Sequence, residues 1–207
     1  MTGSTNIKLG LDFDNTIVCY DAAIAILAEE IFDLPNDVPR TKNGLRDYLR
    51  ETNREHEWTA FQGELYGPGM RYAQPFEGAI ETMLKLVEAG HDLMIVSHRS
   101  RHPYAGKPHD LHSSAKRWVF EILQSKGLFR REGSVRFLET RDKKIELIGQ
   151  MRFDAFIDDL PEVLNAPKFP VNTRKIMFKP DGSSSATRKE ITISAWPDLY
   201  RYLNGVA

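Results

Sequence analysis

Two carboxylates, Asp12 and Asp14, stand on alternate positions where an apolar-rich stretch, Ile7 to Leu11, ends. Residues i and i+2 of an extended chain project to the same side, so both acids can face one site at the end of a strand. Acids are also turn formers after a buried strand, and Asn15 and Thr16 turn the chain here, so this spacing alone leaves both readings open. Three later stretches repeat the pattern of an apolar strand followed by a polar group. Leu93–Val96 runs into Ser97, Val135–Leu138 is followed by the basic pair Lys143 and Lys144, and Phe153–Ile157 ends on Asp158 and Asp159. Open parallel sheets bind ligands at the carboxyl ends of their strands. Acids gathered there without cysteine suit a hard cation such as Mg²⁺, which takes oxygen ligands.

Asp-x-Asp-x-Thr, then a hydroxyl, then a lysine, then an acidic pair, in that order, resembles the haloacid dehalogenase superfamily of phosphohydrolases, over nearly the whole chain. The resemblance implies that Asp12 attacks phosphorus and forms an aspartyl-phosphate, splitting one displacement into two. Asp14 is then the general acid and base, and its backbone carbonyl a metal ligand. Dehalogenases of the superfamily lack an acid there and its ion pumps carry threonine, so Asp14 favours phosphoester hydrolysis or phosphoryl transfer. Ser97 donates its hydroxyl to a phosphoryl oxygen; on its own it also reads as a cap. Asn15 stands where many relatives have glycine, and asparagine tolerates the left-handed backbone. Thr16 fits the pattern and is placed to hydrogen-bond across the loop. Neighbouring helical residues diverge by about 100°, so only one of Lys143 and Lys144 points into the site; Lys144, next to Ile145, is the choice. Asp12, Asp14, Asp158 and Asp159 make the Mg²⁺ site. Relatives with glycine-aspartate at the last position align their ligand with Asp159, which leaves Asp158 to orient the lysine or a metal-bound water.

The elements that must position these groups follow from periodicity. Helical spacing marks 20–33, 42–51, 56–66, 77–90, 111–126, 143–151, 160–166 and 195–204, with strands at 93–96, 135–138, 153–157 and 174–178 besides the first. Parallel strands joined by helices form a right-handed doubly wound sheet. The expected fold is α/β, a Rossmann-like three-layer sandwich of five parallel strands, with the order 5-4-1-2-3 that the resemblance supplies. Residues 19–75 read as a helical unit too small for a core of its own, which the resemblance makes a cap; the plainer reading is an enlarged first crossover. The domains are thus 1–18 with 76–207, and 19–75. Pro180 to Ser185 reads as a flexible loop.

A chain of 207 residues with 41% hydrophobic and 28% charged residues is that of a globular protein, and a net charge of −1 gives no field for a nucleic acid polymer or an acidic membrane. One cysteine, Cys19, excludes an internal disulfide and a multi-cysteine zinc site. No stretch is long and apolar enough to span a membrane, and the first residues lack a signal-peptide pattern, so a cytoplasmic location is expected. After Ser97 come His98, His102, His109 and His112, with Arg99, Arg101 and Lys107 among them. They read as a substrate pocket in which His98 and Arg99 join Asn15 and Thr16, as a zinc site, or as a solvated basic loop.

The expected function is a Mg²⁺-dependent phosphatase acting on a small phosphorylated metabolite, a nucleotide or sugar phosphate. Ile157 to Pro161 with Thr140 to Lys143 before it also looks like nucleotidase members of the superfamily. A phosphotransferase or phosphomutase uses the same residues, and a non-catalytic binding protein is the alternative outside enzymes. A signalling receiver domain also carries an aspartyl-phosphate, but its acidic pair follows the first strand and its lysine the last, against the order here. Oligomeric state is open.

Overall fold

The computed structural model describes residues 6–182 and 190–205. In chain order its principal elements are β1 (Lys8–Leu11), α1 (Asp21–Ile31), α2 (Lys42–Glu51), α3 (Glu55–Tyr66), α4 (Ala79–Glu88), β2 (Asp92–His98), α5 (Leu111–Trp118), β3 (Val135–Leu138), α6 (Arg141–Met151), β4 (Ala155–Asp158), α7 (Pro161–Leu164), β5 (Arg174–Phe178), β6 (Glu190–Ile193) and α8 (Trp196–Asn204). The chain divides into two compact units.

The sheet unit takes the residues up to Val18, Pro75–His98 and those from Leu123 onward. Its sheet has the order β3-β2-β1-β4-β5-β6, every pairing parallel. Read from the other edge this is the expected 5-4-1-2-3 with a sixth strand added outside β5. The expectation of five strands is therefore corrected. The short run Glu190–Ile193 pairs Ile191 with Ile176 and Ile193 with Phe178. Four residues give little periodicity to read, and an edge strand is recognised mainly by its neighbour. Of the expected loop, Ser183, Ser184 and Ser185 lie outside the described residues.

β1 is central, so Leu9, Gly10 and Leu11 are all buried, as strands covered on both faces must be. Gly10 lies beside Phe156 of β4, and a Cβ there would overlap that ring. On this face α6 and α7 close a core of Met94, Val96, Ile145, Ile148, Phe156 and Val163. α4 and α8 pack together and against β2 and β6 respectively, completing the third layer. The carboxyl end of β1 is held from both directions. Asp12 N donates to Ile157 O at 2.9 Å, and Trp196 Nε1 to Thr16 O at 3.0 Å.

The helical unit takes Cys19–Gln74 together with Arg99–Ile122, a segment that the expected division at 19–75 does not include. The reason is in α5. Trp118, buried, donates from Nε1 to Ala73 O at 2.9 Å, and Arg99 Nη2 donates to the Tyr20 hydroxyl at 3.0 Å. The helix expected over 111–126 changes to a π turn at Val119–Leu123 and a 3₁₀ turn at Gln124–Lys126, and the unit boundary falls in that π turn. The unit's interior is aromatic: Trp58 stacks on Phe61 with centroids 5.7 Å apart, and Leu45, Leu49 and Leu65 are buried with them.

Candidate active site

The sheet unit brings Asp12, Lys144 and Asp158 into contact at the carboxyl ends of β1 and β4. Alternation along the strands explains why. Gly10 and Phe156 face α6, so Asp12 and Asp158, two residues on, are directed to that side. Lys144 reaches them from the first turn of α6. That turn is fixed by Thr140, whose Oγ1 accepts from Lys143 N at 3.3 Å, an N-cap that satisfies one of the orphan donors of a helix start. Lys144 Nζ lies 2.5 Å from Asp12 Oδ1 and 2.6 Å from Asp158 Oδ2, with none of its side chain exposed. Lys143 points elsewhere, 3.5 Å from Glu139 on the surface. Geometry thus separates two lysines that adjacency in sequence could not.

Both oxygens of Asp12 are engaged, Oδ1 by Lys144 and Oδ2 by the Thr16 hydroxyl at 3.3 Å. Asp158 is held at both ends too, since Leu160 N donates to its Oδ1 at 3.0 Å. Asp159 is half-buried. The ligand atoms of Asp12, Asp158 and Asp159 all lie within 4.8 Å of one another. Burial works against charge on Lys144, but Asp12 and Asp158 outweigh it and hold its pKa above the ordinary lysine value. Burial, then repulsion from Asp12 and Asp158, pushes Asp159 up to about 8. Burial likewise pushes Asp158 up, to about 7, with Lys144 pulling against it. Asp12 and Asp158 thus share one ammonium, and Asp159 adds a third carboxylate beside them. An oxygen-only donor set with surplus negative charge fits a hard divalent cation. The carboxylate of Asp14 is not one of the three; the resemblance assigns its backbone carbonyl to the metal.

Ser97 is buried at the end of β2, and His98 is the last residue of that strand. Asn15 takes the left-handed conformation, φ 54°. Arg99 is built into the helical unit. It is 8% exposed, with Nη1 donating to Leu111 O at 3.2 Å and its guanidinium 5.6 Å from the centre of the Tyr66 ring. The four histidines of 98–112 do not gather. His109 Nε2 lies 3.1 Å from Glu64, His102 Nδ1 3.2 Å from His109 O, and His112 Nε2 2.8 Å from Arg99 O. Among the described residues none of them joins a cluster able to hold a metal ion. A cavity of about 410 Å³ beside α6 is lined in part by Arg141, Lys143 and Lys168 and by none of the three carboxylates.

Two supports had no signal in the sequence: the Leu160 amide on Asp158, and Trp196, 180 positions from the Thr16 carbonyl it binds. Each pairs a side chain with a backbone group, which residue types do not announce.

No family model matches the chain. A Bacillus cereus protein described as "Putative nucleotidase" is 25% identical over 171 residues, 76% of this chain and 79% of that one. A haloacid dehalogenase family hydrolase from Deinococcus radiodurans, with bound phosphate and sodium, superposes with a TM-score of 0.55 at 16% identity over 98% of this chain and 97% of that one. A Bacillus subtilis HAD-type protein bound to magnesium gives 0.53 at 15%, over 97% and 100%. The fold is that of the haloacid dehalogenase superfamily, and the resemblance drawn from the four ordered motifs is borne out at that level.

Proposed function

We propose that this chain, with the fold and ordered motif residues of the haloacid dehalogenase superfamily, is a Mg²⁺-dependent phosphatase of small phosphorylated metabolites. One observation carries the reading: Asp12, at the end of the central strand, is fixed by Lys144 and Thr16 within a group of three carboxylates. The aspartate nucleophile is thereby oriented, and orientation is a large part of what a catalytic site supplies. Asp12 and Asp159, with Asp158 bracing Lys144, would hold the cation, which offsets the repulsion between carboxylate and phosphate dianion.

In the first half-reaction a carboxylate oxygen of Asp12 forms a bond to phosphorus, and the bond from phosphorus to the ester oxygen breaks. Asp14 delivers its proton to that leaving oxygen. In the second, Asp14 takes a proton from water, whose oxygen attacks phosphorus and releases Asp12 and inorganic phosphate. Lys144 neutralises Asp12 and the incoming phosphoryl group, and Ser97 donates to a phosphoryl oxygen. Asn15 sets the turn that presents Asp14. The helical unit is assigned the part of a cap that selects the substrate. The curated relative's description favours a nucleotide among the metabolite substrates.

The test is hydrolysis of an aryl phosphate with Mg²⁺ and with chelator, then of nucleoside monophosphates and sugar phosphates. Metal-dependent turnover that disappears in Asp12→Asn is the expected result. Turnover that survives Asp12→Asn would overturn the mechanism. A folded protein that binds Mg²⁺ yet neither binds phosphate nor turns over any member of the panel would overturn the phosphatase reading.

A further inference from the structure

His98 ends β2 immediately after Ser97. Its Nδ1 is buried and has no hydrogen-bond partner, although the ring as a whole is only partly covered. Buried polar atoms in folded proteins are nearly always paired, and one that is not calls for a reason. β2 runs parallel to β1 with Ile95 paired to Leu11, so His98 ends β2 beside the carboxyl end of β1 that carries Asp12 and Asp14; Lys144, Asp12, Asp14 and Arg141, all of the sheet unit, are charged groups that act on its ring. Burial, then Lys144, disfavours a proton on the ring, which leaves a neutral imidazole with one donor and one acceptor. A phosphate ester dianion offers acceptors only. The cation nearest to Asp12 is already spent, because Lys144 is shared between Asp12 and Asp158. A neutral N–H donor adds recognition of the anion without competing for those carboxylates.

We propose that His98 binds the substrate directly, its Nδ1–H donating a hydrogen bond to an oxygen of the bound phosphoryl group. The inference rests on the phosphatase reading and adds to it the donor that sets affinity for the phosphoryl group. It also makes a claim about which ring nitrogen acts, which substitution can separate. Asparagine carries its amide nitrogen one bond from Cγ, as Nδ1 is carried, whereas the glutamine amide reaches toward the Nε2 position.

The experiment measures binding of inorganic phosphate in the presence of Mg²⁺ by titration calorimetry, for the wild-type protein, His98→Leu, His98→Gln and His98→Asn. A hydrogen bond to a charged acceptor supports an expected loss of about 10- to 100-fold in affinity for the Leu and Gln variants. The Asn variant should stay within about threefold of wild type. KM for an aryl phosphate should follow the same order, a rescue that mere packing of the ring would not produce. If His98→Leu does not fold, the Asn and Gln pair decides the matter. Equal phosphate binding by Asn, Gln and wild type, or rescue by Gln and not by Asn, would overturn the assignment and leave the phosphatase reading standing. A wild-type protein that binds Mg²⁺ but no phosphate would overturn both.

Discussion

Asp12 and Asp14 stand two positions apart, and the proposed mechanism gives them different roles. Asp12 has both oxygens engaged, by Lys144 and Thr16, and asparagine can keep much of that geometry while losing the proposed nucleophile. Asp12→Asn should therefore lower kcat about a thousandfold or more with an unchanged circular dichroism spectrum. General acids contribute about 10²- to 10⁴-fold. Asp14→Asn should accordingly lose more on an alkyl phosphate, whose leaving oxygen needs a proton, than on an activated aryl phosphate; equal losses on both would deny Asp14 that role. Lys144 is a stability residue as well. Lys144→Met removes the cation between Asp12 and Asp158, and breaking a buried pair costs about 3–5 kcal/mol. Urea denaturation in chelator should show that loss, and Mg²⁺, by binding only the folded form, should restore part of it.

At the scale of the element, the site depends on how β1 and α6 approach. Gly10 allows the central strand to lie against Phe156 and Phe153. Gly10→Ala should destabilise by about 1–3 kcal/mol through overpacking, read as a lower denaturation midpoint with an unchanged slope. Thr140 caps the helix that carries Lys144, so Thr140→Ala should cost about 1 kcal/mol and lower the proposed phosphatase activity in proportion to the fraction unfolded. The turn after β1 has its own requirement. Asn15 sits at φ 54°, so Asn15→Gly should be nearly neutral, while Asn15→Val should cost about 1–2 kcal/mol; thermal melts separate the two.

For the whole molecule the acidic cluster links folding to pH. Burial raises Asp159 to about 8 and Asp158 to about 7, against about 3.9 for an unfolded aspartate. The folded protein thus holds protons that the unfolded chain has released. The stability from this source is complete below about pH 4 and is lost as pH rises through the two folded values. His98 acts in the opposite sense, but only on the acid side of its ordinary value of about 6.5, because burial and then Lys144 lower its pKa. Between pH 6.5 and 8 the carboxylates decide. The melting temperature in chelator should fall across that window, and saturating Mg²⁺ should flatten the fall. A chelated protein with a flat profile would show that these acids are not strained by their burial.

The sequence by itself determined the order of chemical groups along the chain and the kind of fold that carries them. β1, β2 and β4 run into acidic or hydroxyl groups and β3 is followed by the basic pair, and helical and strand periodicity is a local property of side chains, so five of the six strands of the described sheet, the main helices and the acidic, hydroxyl and basic positions were legible. Long-range packing was not. Which of Lys143 and Lys144 turns inward depends on the phase of α6 against the sheet, and only Lys144 meets Asp12 and Asp158. β6 exists because it pairs with β5, a relation that four residues do not encode alone. Arg99–Ile122 joins the helical unit because Trp118 and Arg99 find Ala73 and Tyr20 there. The unpaired nitrogen of His98 arises only when strand, helix and carboxylates surround it. Spacing fixes what a residue can do; burial and neighbours, supplied by distant parts of the chain, decide which of those possibilities the molecule uses.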